Sequence, residues 1–267
     1  MGLMEGKRGL VMGVANDHSI AWGIARELHS QGASLAFTYQ GEAFGKRVRP
    51  LADSVGSNLV LPCDVSSEED LDRTFGELES AWQSLDFVVH AIAYSDKQEL
   101  RGQYIDTTRE NFARTLDISC YSFTSVARHA MGLMNGGGAL LTLSYLGAER
   151  VTPNYNVMGI AKAALEASVR YLAVDLGPQN IRVNAISAGP MRTLAGSAIS
   201  DARFVYGWTR DHAPLKRPVA LEEVGRAGLY FLSDLSAGVT GEVQHVDCGY
   251  NAIGIPHPAR MKTNDAG

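Results

Sequence analysis

Gly9-Leu10-Val11-Met12-Gly13-Val14-Ala15-Asn16-Asp17-His18-Ser19-Ile20-Ala21-Trp22-Gly23 decides the fold. A short apolar run, 9–13, is followed by a polar turn and by a helical pattern starting near Ile20. A strand that feeds a helix through a glycine-marked turn is the first half of a βαβ unit. The stretch is not G-x-G-x-x-G, but it keeps a glycine at the strand end, a serine at the helix start and a glycine one turn in. Gly13 would let backbone approach a pyrophosphate. Ser19 would cap the helix and donate to a phosphate, with the Ile20 amide beside it. Gly23 would let helix and strand pack closely. An ordinary βα turn with a capping serine accounts for the same residues, so the pattern alone is weak. Lys7-Arg8 ahead of the apolar run imitates a signal peptide. The run is short and ends in Asn16-Asp17-His18, so a first buried strand explains it better.

The same alternation continues along the chain. Further strands are expected at 34–39, 58–61, 85–91, 139–144, 181–187 and 243–246. Helices are expected at 20–31, 42–55, 68–83, 109–134, 155–176 and 221–233. Strict β-α alternation predicts an α/β fold: a single-domain, Rossmann-type, doubly wound parallel sheet of about seven strands with helices on both faces. Thr107-x-x-Glu110 reads as a capping box, and Gly32 and Gly177 stand where helices want a left-handed residue. The expected domain spans 1–255, and 256–267 reads as a loose tail.

The bulk properties narrow the function. The chain has 267 residues, 45% of them hydrophobic and 20% charged, with a net charge of −5. That suits one α/β domain with a sizeable core. No basic tract marks a nucleic-acid binder, and no run approaches the about 20 apolar residues of a membrane span. Cys63, Cys120 and Cys248 are far apart and have neither metal nor disulfide spacing. They favour a reducing, cytoplasmic setting. The scattered histidines form no H-E-x-x-H motif, and no metal site is expected.

In such a fold, ligands gather at the carboxyl ends of the strands. After the second strand comes Gln40, where folds that prefer NAD often place an acid on the ribose. Gln40 is neutral, and no cation follows until Lys46-Arg47, so a 2′-phosphate lacks an obvious partner and NADH is expected over NADPH. After the third strand, Asp64 would accept from an adenine amino group, with the Val65 amide on a ring nitrogen; Asp64 reads equally as a helix-start residue. After the fourth, small residues in His90-Ala91-Ile92-Ala93-Tyr94-Ser95 would admit the cofactor ribose. After the fifth, Ser144-Tyr145 puts a tyrosine at the sheet edge. After the sixth, Gly189-Pro190-Met191-Arg192-Thr193-Leu194-Ala195 offers a turn, a hydroxyl and backbone donors for a nicotinamide amide and phosphates.

Tyr155 and Lys162 stand seven residues apart on the next helix. Two turns take up about 7.2 residues, so both point to nearly the same side. A phenol and an ammonium on one face suit acid–base work, with the lysine favouring the phenolate and donating to hydroxyls. A packed tyrosine and a solvated lysine would produce the same spacing.

Together these segments resemble the short-chain dehydrogenase/reductase superfamily and, within it, its NADH-dependent enoyl-acyl-carrier-protein reductase branch. The likeness runs from about Lys7 to Gly254. It rests on Gly13 with Ser19-Ile20-Ala21-x-Gly23, Gln40, Asp64-Val65, Leu116-Asp117-Ile118-Ser119, Ser144-Tyr145, Tyr155-x6-Lys162 and Ala188-Gly189-Pro190-x-Arg192-Thr193-Leu194-Ala195. Most superfamily members place the tyrosine four residues before the lysine; here that position is Met158. Their catalytic serine position is Tyr145, and their Asn-Asn-Ala-Gly run is His90-Ala91-Ile92-Ala93. Ala93 stands where glycine is common in the branch, and would narrow the floor beside the nicotinamide.

The resemblance implies hydride transfer from NADH to the β-carbon of a trans-2-enoyl thioester, the last step of the fatty-acid elongation cycle. Tyr155 would donate to the thioester oxygen, Tyr145 would support it, and Lys162 would hold the ribose. Ser95, Tyr145, Tyr155, Met158, Ile199 and Phe204 would line the substrate site. The stretch at about 191–210 would close over the acyl chain as a lid, though a helix packing on the body explains its apolar residues as well. Acyl carrier protein is the implied partner, docking on a basic patch of Arg192, Arg203, Arg210, Lys216 and Arg217. A homotetramer of dihedral symmetry is implied too. A keto-reducing member of the superfamily and a non-enzymatic dinucleotide sensor are the competing readings.

Overall fold

A computed structural model describes residues 2–194 and 202–255. The strands are β1 (Arg8–Met12), β2 (Ser34–Tyr39), β3 (Leu59–Pro62), β4 (Phe87–His90), β5 (Gly138–Ser144), β6 (Ile181–Ala188) and β7 (Val243–Val246). The α-helices are α1 (Ile20–Ser30), α2 (Gly41–Ser54), α3 (Glu68–Trp82), α4 (Arg109–Leu116), α5 (Ser122–Met131), α6 (Asn156–Leu176), α7 (Ala202–His212) and α8 (Leu221–Leu232). All strands pair in parallel, in the order β3-β2-β1-β4-β5-β6-β7. The expected seven-stranded, doubly wound sheet is therefore the observed one.

Successive strand residues bury to opposite faces. Val11 of β1, Phe87 and Val89 of β4, and Leu141 of β5 pack with α1, α2 and α8 through Ile24, Leu28, Val48 and Phe231. Leu10 and Met12, Val88 and Leu140 pack on the other face with α3, α5 and α6 through Phe75, Phe123, Leu165 and Val169. A parallel sheet covered on both faces needs nearly continuous apolar strands, which is how β1 and β4 read. The order reverses between β1 and β4, so a crevice opens at their carboxyl ends.

Several local expectations need correction. The helix expected at 109–134 is α4, then a π-helical turn at Asp117–Tyr121, then α5. Within that turn Ser119 Oγ accepts from the Tyr94 amide at 2.9 Å and donates to the Tyr94 carbonyl at 3.0 Å. A π-turn inside an apolar-periodic helix leaves no break in the sequence pattern, and such turns frequently sit at functional sites. The cap of α4 is Thr108, not Thr107; its hydroxyl accepts from Asn111 N. Gly32 is left-handed, with φ +98°, but Gly177 is not: the chain turns three residues later at Asn180, with φ +59°. Gly23 serves a helix–helix contact rather than a helix–strand one. A Cβ there would lie 2.6 Å from Leu221 Cγ, and one on Gly225 would lie 2.6 Å from Gly23 O, so α1 and α8 touch backbone to backbone. Among the described residues, no helix is long and apolar enough to cross a membrane.

Candidate active site

The chain enters α6 through two left-handed asparagines. Asn154 has φ +61° and Asn156 φ +41°, with Tyr155 between them at φ −96°, ψ −27°. Tyr155 thus caps the helix rather than starting it. Asparagine tolerates this region better than most residues, and the Asn156 amide is held by the carbonyls of Glu99 at 3.0 Å and Gly102 at 3.4 Å. The double turn carries the Tyr155 ring inward to meet Tyr145 edge-on, with ring centres 4.9 Å apart. Gly147, in the 3-10 turn Leu146–Ala148, lies between the two rings: a Cβ there would be 2.4 Å from Tyr155 Cδ1 and 3.2 Å from Tyr145 Cδ1. Met158, Val157, Ala161 and Leu100 close an apolar cluster around Tyr155.

Lys162 is 6% exposed, which excludes the solvated-lysine reading. Its ammonium donates to Leu143 O at 2.8 Å. An ammonium carries three donor hydrogens, so two remain for a ligand in the crevice. Burial pushes the Lys162 pKa down to about 8. Burial also pushes Tyr145 up to about 12, and Tyr155 well above the ordinary phenol range, with Tyr145 and Glu166 adding to it. Both tyrosines are therefore neutral donors at physiological pH. The expectation that Lys162 favours a phenolate fails because desolvation dominates. His90 is buried among Thr142 Oγ1 at 3.1 Å and Ser122 Oγ at 2.8 Å. Burial, then Lys162, pushes its pKa down to about 3, so it too is neutral.

The cofactor half of the site is uneven. Gly13, with φ +97°, ends β1 where a Cβ would strike Ala91 O at 2.1 Å, so the glycine is demanded by the neighbouring strand end before any phosphate. Ser19 is the N-cap residue of α1 through its carbonyl, which accepts from Gly23 N at 3.1 Å, but its hydroxyl makes no cap: it accepts from the amides of Ala15 and Asn16 at 3.0 and 3.1 Å and shapes the loop. Ile20 begins α1 beside it. Gln40 Nε2 donates to Asp64 Oδ2 at 2.7 Å, joining the ends of β2 and β3. Burial raises the Asp64 pKa, but hydrogen bonds from Ser66 and Gln40 outweigh it and hold the carboxyl below its usual range. Val65 and Ile92 turn their side chains to the core, leaving backbone for a ligand. After β6, Met191 packs partly on the core, and its carbonyl accepts from Thr193 N at 2.9 Å. The Arg192 guanidinium lies 4.9 Å over the Tyr206 ring of α7, and Leu194 is half-exposed. Ala195 and Ile199, the middle of the expected lid, and the expected tail at 256–267 lie outside the described residues. A buried ammonium with spare donors, a β1/β4 junction opened by Gly13 and an acid–amide pair at β2/β3 suit a dinucleotide laid across the crevice.

The expected substrate residues divide. Tyr145, Tyr155 and Met158 come together. Ser95 does not join them: its hydroxyl is committed to Asn111 and to Thr115 Oγ1 at 2.9 Å, where it anchors the loop after β4 to α4. Phe204 is 62% exposed and pairs with Trp208 on α7, a helix absent from the expected set and foreseen only as the alternative to a lid. The basic patch is smaller than expected, since Arg210 pairs with Asp211 and Arg217 with Glu223. Sequence reasoning missed Gly147, Glu166 and the asparagines flanking Tyr155. Gly147 and Tyr155 were each legible; their contact was not.

Comparison with known proteins bears on this site. A sequence profile described as enoyl-(acyl carrier protein) reductase matches residues 13–251. The chain is 61% identical over 265 residues to the enoyl-[acyl-carrier-protein] reductase [NADH] 2 of Rhizobium meliloti (strain 1021), covering 99% of each chain. It is 62% identical to enoyl-[acyl-carrier-protein] reductase [NADH] 1 of the same organism, covering 95% of this chain and 93% of that one. The crystal structure of enoyl-(acyl-carrier-protein) reductase from Anaplasma phagocytophilum in complex with NAD superposes with a TM-score of 0.93 at 59% identity, covering 96% of this chain and 98% of that one.

Proposed function

Since the chain belongs to the NADH-dependent enoyl-acyl-carrier-protein reductase family, we propose that Tyr155 is the hydrogen-bond donor of its reaction, with Tyr145 and Lys162 in support. The activity is NADH-dependent enoyl-acyl-carrier-protein reduction in type II fatty-acid synthesis. The observation that carries the residue assignment is the Tyr145–Tyr155 ring pair, 4.9 Å apart, beside a lysine fixed to the strand just before Tyr145.

NADH bound in the crevice supplies the hydride that reaches the β-carbon of the enoyl thioester. The Tyr155 hydroxyl donates to the thioester oxygen, and that bond strengthens as enolate charge grows there. The raised pKa keeps the proton on Tyr155, so stabilisation needs no proton transfer from it; a proton taken from solvent at the α-carbon then converts the enolate to the saturated thioester. Tyr145 braces the ring through its edge, and Met158 presents an apolar wall to the acyl chain. Lys162 holds the ribose hydroxyls. Gly13, Ser19, Ile20, Gln40, Asp64, Val65, Ile92 and the turn from Met191 to Ala195 hold the remainder of the dinucleotide. The short-chain reductase domain at 1–255 is taken to include the lid, and family membership favours a dihedral homotetramer working in the cytoplasm, which sizing by light scattering and cell fractionation would test.

Turnover of crotonyl thioester against acetoacetyl thioester, followed by NADH oxidation, tests the reaction. The enoyl substrate is expected to turn over faster, and faster turnover of the keto substrate would overturn the assignment. Tyr155→Phe removes the donor and keeps the ring; it is expected to lower kcat by about 10²-fold, as loss of one oxyanion donor does. An unchanged kcat would remove Tyr155 from the chemistry. NADPH is expected to show the lower kcat/KM. Its extra phosphate would face the Asp64 carboxylate, already ionised and tied to Gln40, and like charges repel. A preference for NADPH would refute the roles given to Gln40 and Asp64.

A further inference from the structure

Helix α6 grips β5 at two consecutive residues. Lys162 Nζ donates to Leu143 O, and Ser144 Oγ donates to Glu166 Oε1 at 2.5 Å. Lys162 and Glu166 are four residues apart, hence neighbours on one helix face. Leu143 and Ser144 are the last two residues of β5, and Tyr145 follows in an extended conformation with φ −152° and ψ 150°. Tyr145 thus inherits its direction from the strand end, since no helical turn of its own has yet begun.

Glu166 is 8% exposed, and the reaction as described does not touch it. Carboxylates are rarely buried unless engaged. Ser144 is its hydrogen-bond partner, while Glu149, His245 and Arg170 supply the surrounding charge. We propose that Glu166 is a positioning residue: by holding Ser144 it aims Tyr145 at the edge of the Tyr155 ring. This rests on the supporting role given to Tyr145 above.

The link predicts which substitutions interact. Kinetics with crotonyl thioester, varying each substrate in turn, together with melting temperatures, are measured for Glu166→Leu, Glu166→Gln, Ser144→Ala, Tyr145→Leu, which removes the ring, and the Tyr145→Leu/Glu166→Leu double variant. Glu166→Leu is expected to lower kcat about fivefold or more, because small misplacements near the reacting atoms are costly, while KM for NADH stays within about twofold. Glu166→Gln keeps an acceptor for Ser144 and is expected to restore kcat. Ser144→Ala is expected to reproduce the loss, and it serves as the test if Glu166→Leu does not fold. In the Tyr145→Leu background, where no ring is left to aim, Glu166→Leu is expected to add nothing to the loss of kcat, while lowering the melting temperature as much as in the wild type.

An equal kcat loss in both backgrounds would overturn the proposal, as would a lowered melting temperature with kcat intact. A silent Tyr145→Leu would overturn the role of Tyr145 itself. Slowed turnover in Tyr145→Leu beside a silent Glu166→Leu and Ser144→Ala would overturn the positioning alone.

Discussion

Lys162→Met is expected to raise the Michaelis constant for NADH by about 10- to 100-fold, the loss of one or more charge-assisted hydrogen bonds. The methionine fills the space of the aliphatic stem and removes the ammonium. In the wild type that ammonium spends one hydrogen on Leu143 O and has two left for a ligand. The folded protein should not suffer in proportion, because the substitution also removes the penalty of burying a charge. A raised KM for NADH with a nearly unchanged melting temperature is therefore the signature. The effect has a pH counterpart. The Lys162 pKa lies at about 8 in the ligand-free protein, lowered by burial. The group is a cation below that pH and a neutral amine above it. Because kcat/KM reports the free enzyme, kcat/KM for NADH should fall as pH rises through about 8, and this limb should vanish in Lys162→Met. An unchanged KM, or an alkaline limb that survives the substitution, would contradict the ribose role.

Gly147→Ala should cost as much by pure geometry. The new methyl would stand 2.4 Å from Tyr155 Cδ1 and 3.2 Å from Tyr145 Cδ1. The turn cannot simply retreat, since its Gly147 carbonyl already lies 2.8 Å from where a Cβ on Gly159 would be. The Tyr155 ring must yield, and displacement of about 1 Å at a reacting group is worth about 10²-fold in rate. The expected result is a fall in kcat of that order with KM for NADH little changed. Overpacking should also cost about 1–3 kcal/mol of stability. Gly76→Ala, on α3 where an added Cβ meets nothing within 4 Å, is the control and should leave kcat alone. If Gly147→Ala were equally harmless, Tyr155 would not need the place the structure gives it.

The fold was legible because a parallel sheet writes itself into the sequence twice, as fully apolar strands and as the helices between them. β2 and β7 fall on their expected ends, while β4 is shorter than the run at 85–91 because only Phe87–His90 finds partners on both sides. The π-turn at Asp117–Tyr121 was not legible, because those five residues hold no proline or glycine to mark a break in the helix. Within the site, Tyr155 and Lys162 stood out by spacing. Ser95 misled because a hydroxyl after a strand end looks the same whether it faces a ligand or, as here, Asn111 and Thr115. Glu166 escaped because a glutamate on a helix usually faces water, and only the β5 register shows Ser144 beneath it.

The backbone contact between α1 and α8 sets an order of assembly. Gly23 and Gly225 are separated by about 200 residues, and contacts of such long range slow folding. As the chain leaves the ribosome, the glycine-lined flank of α1 must wait, uncovered, until most of the polypeptide has been made. A fragment ending before α8 would keep that apolar flank open, so truncations from the carboxyl side should disturb the first βα unit long before they reach it in the sequence.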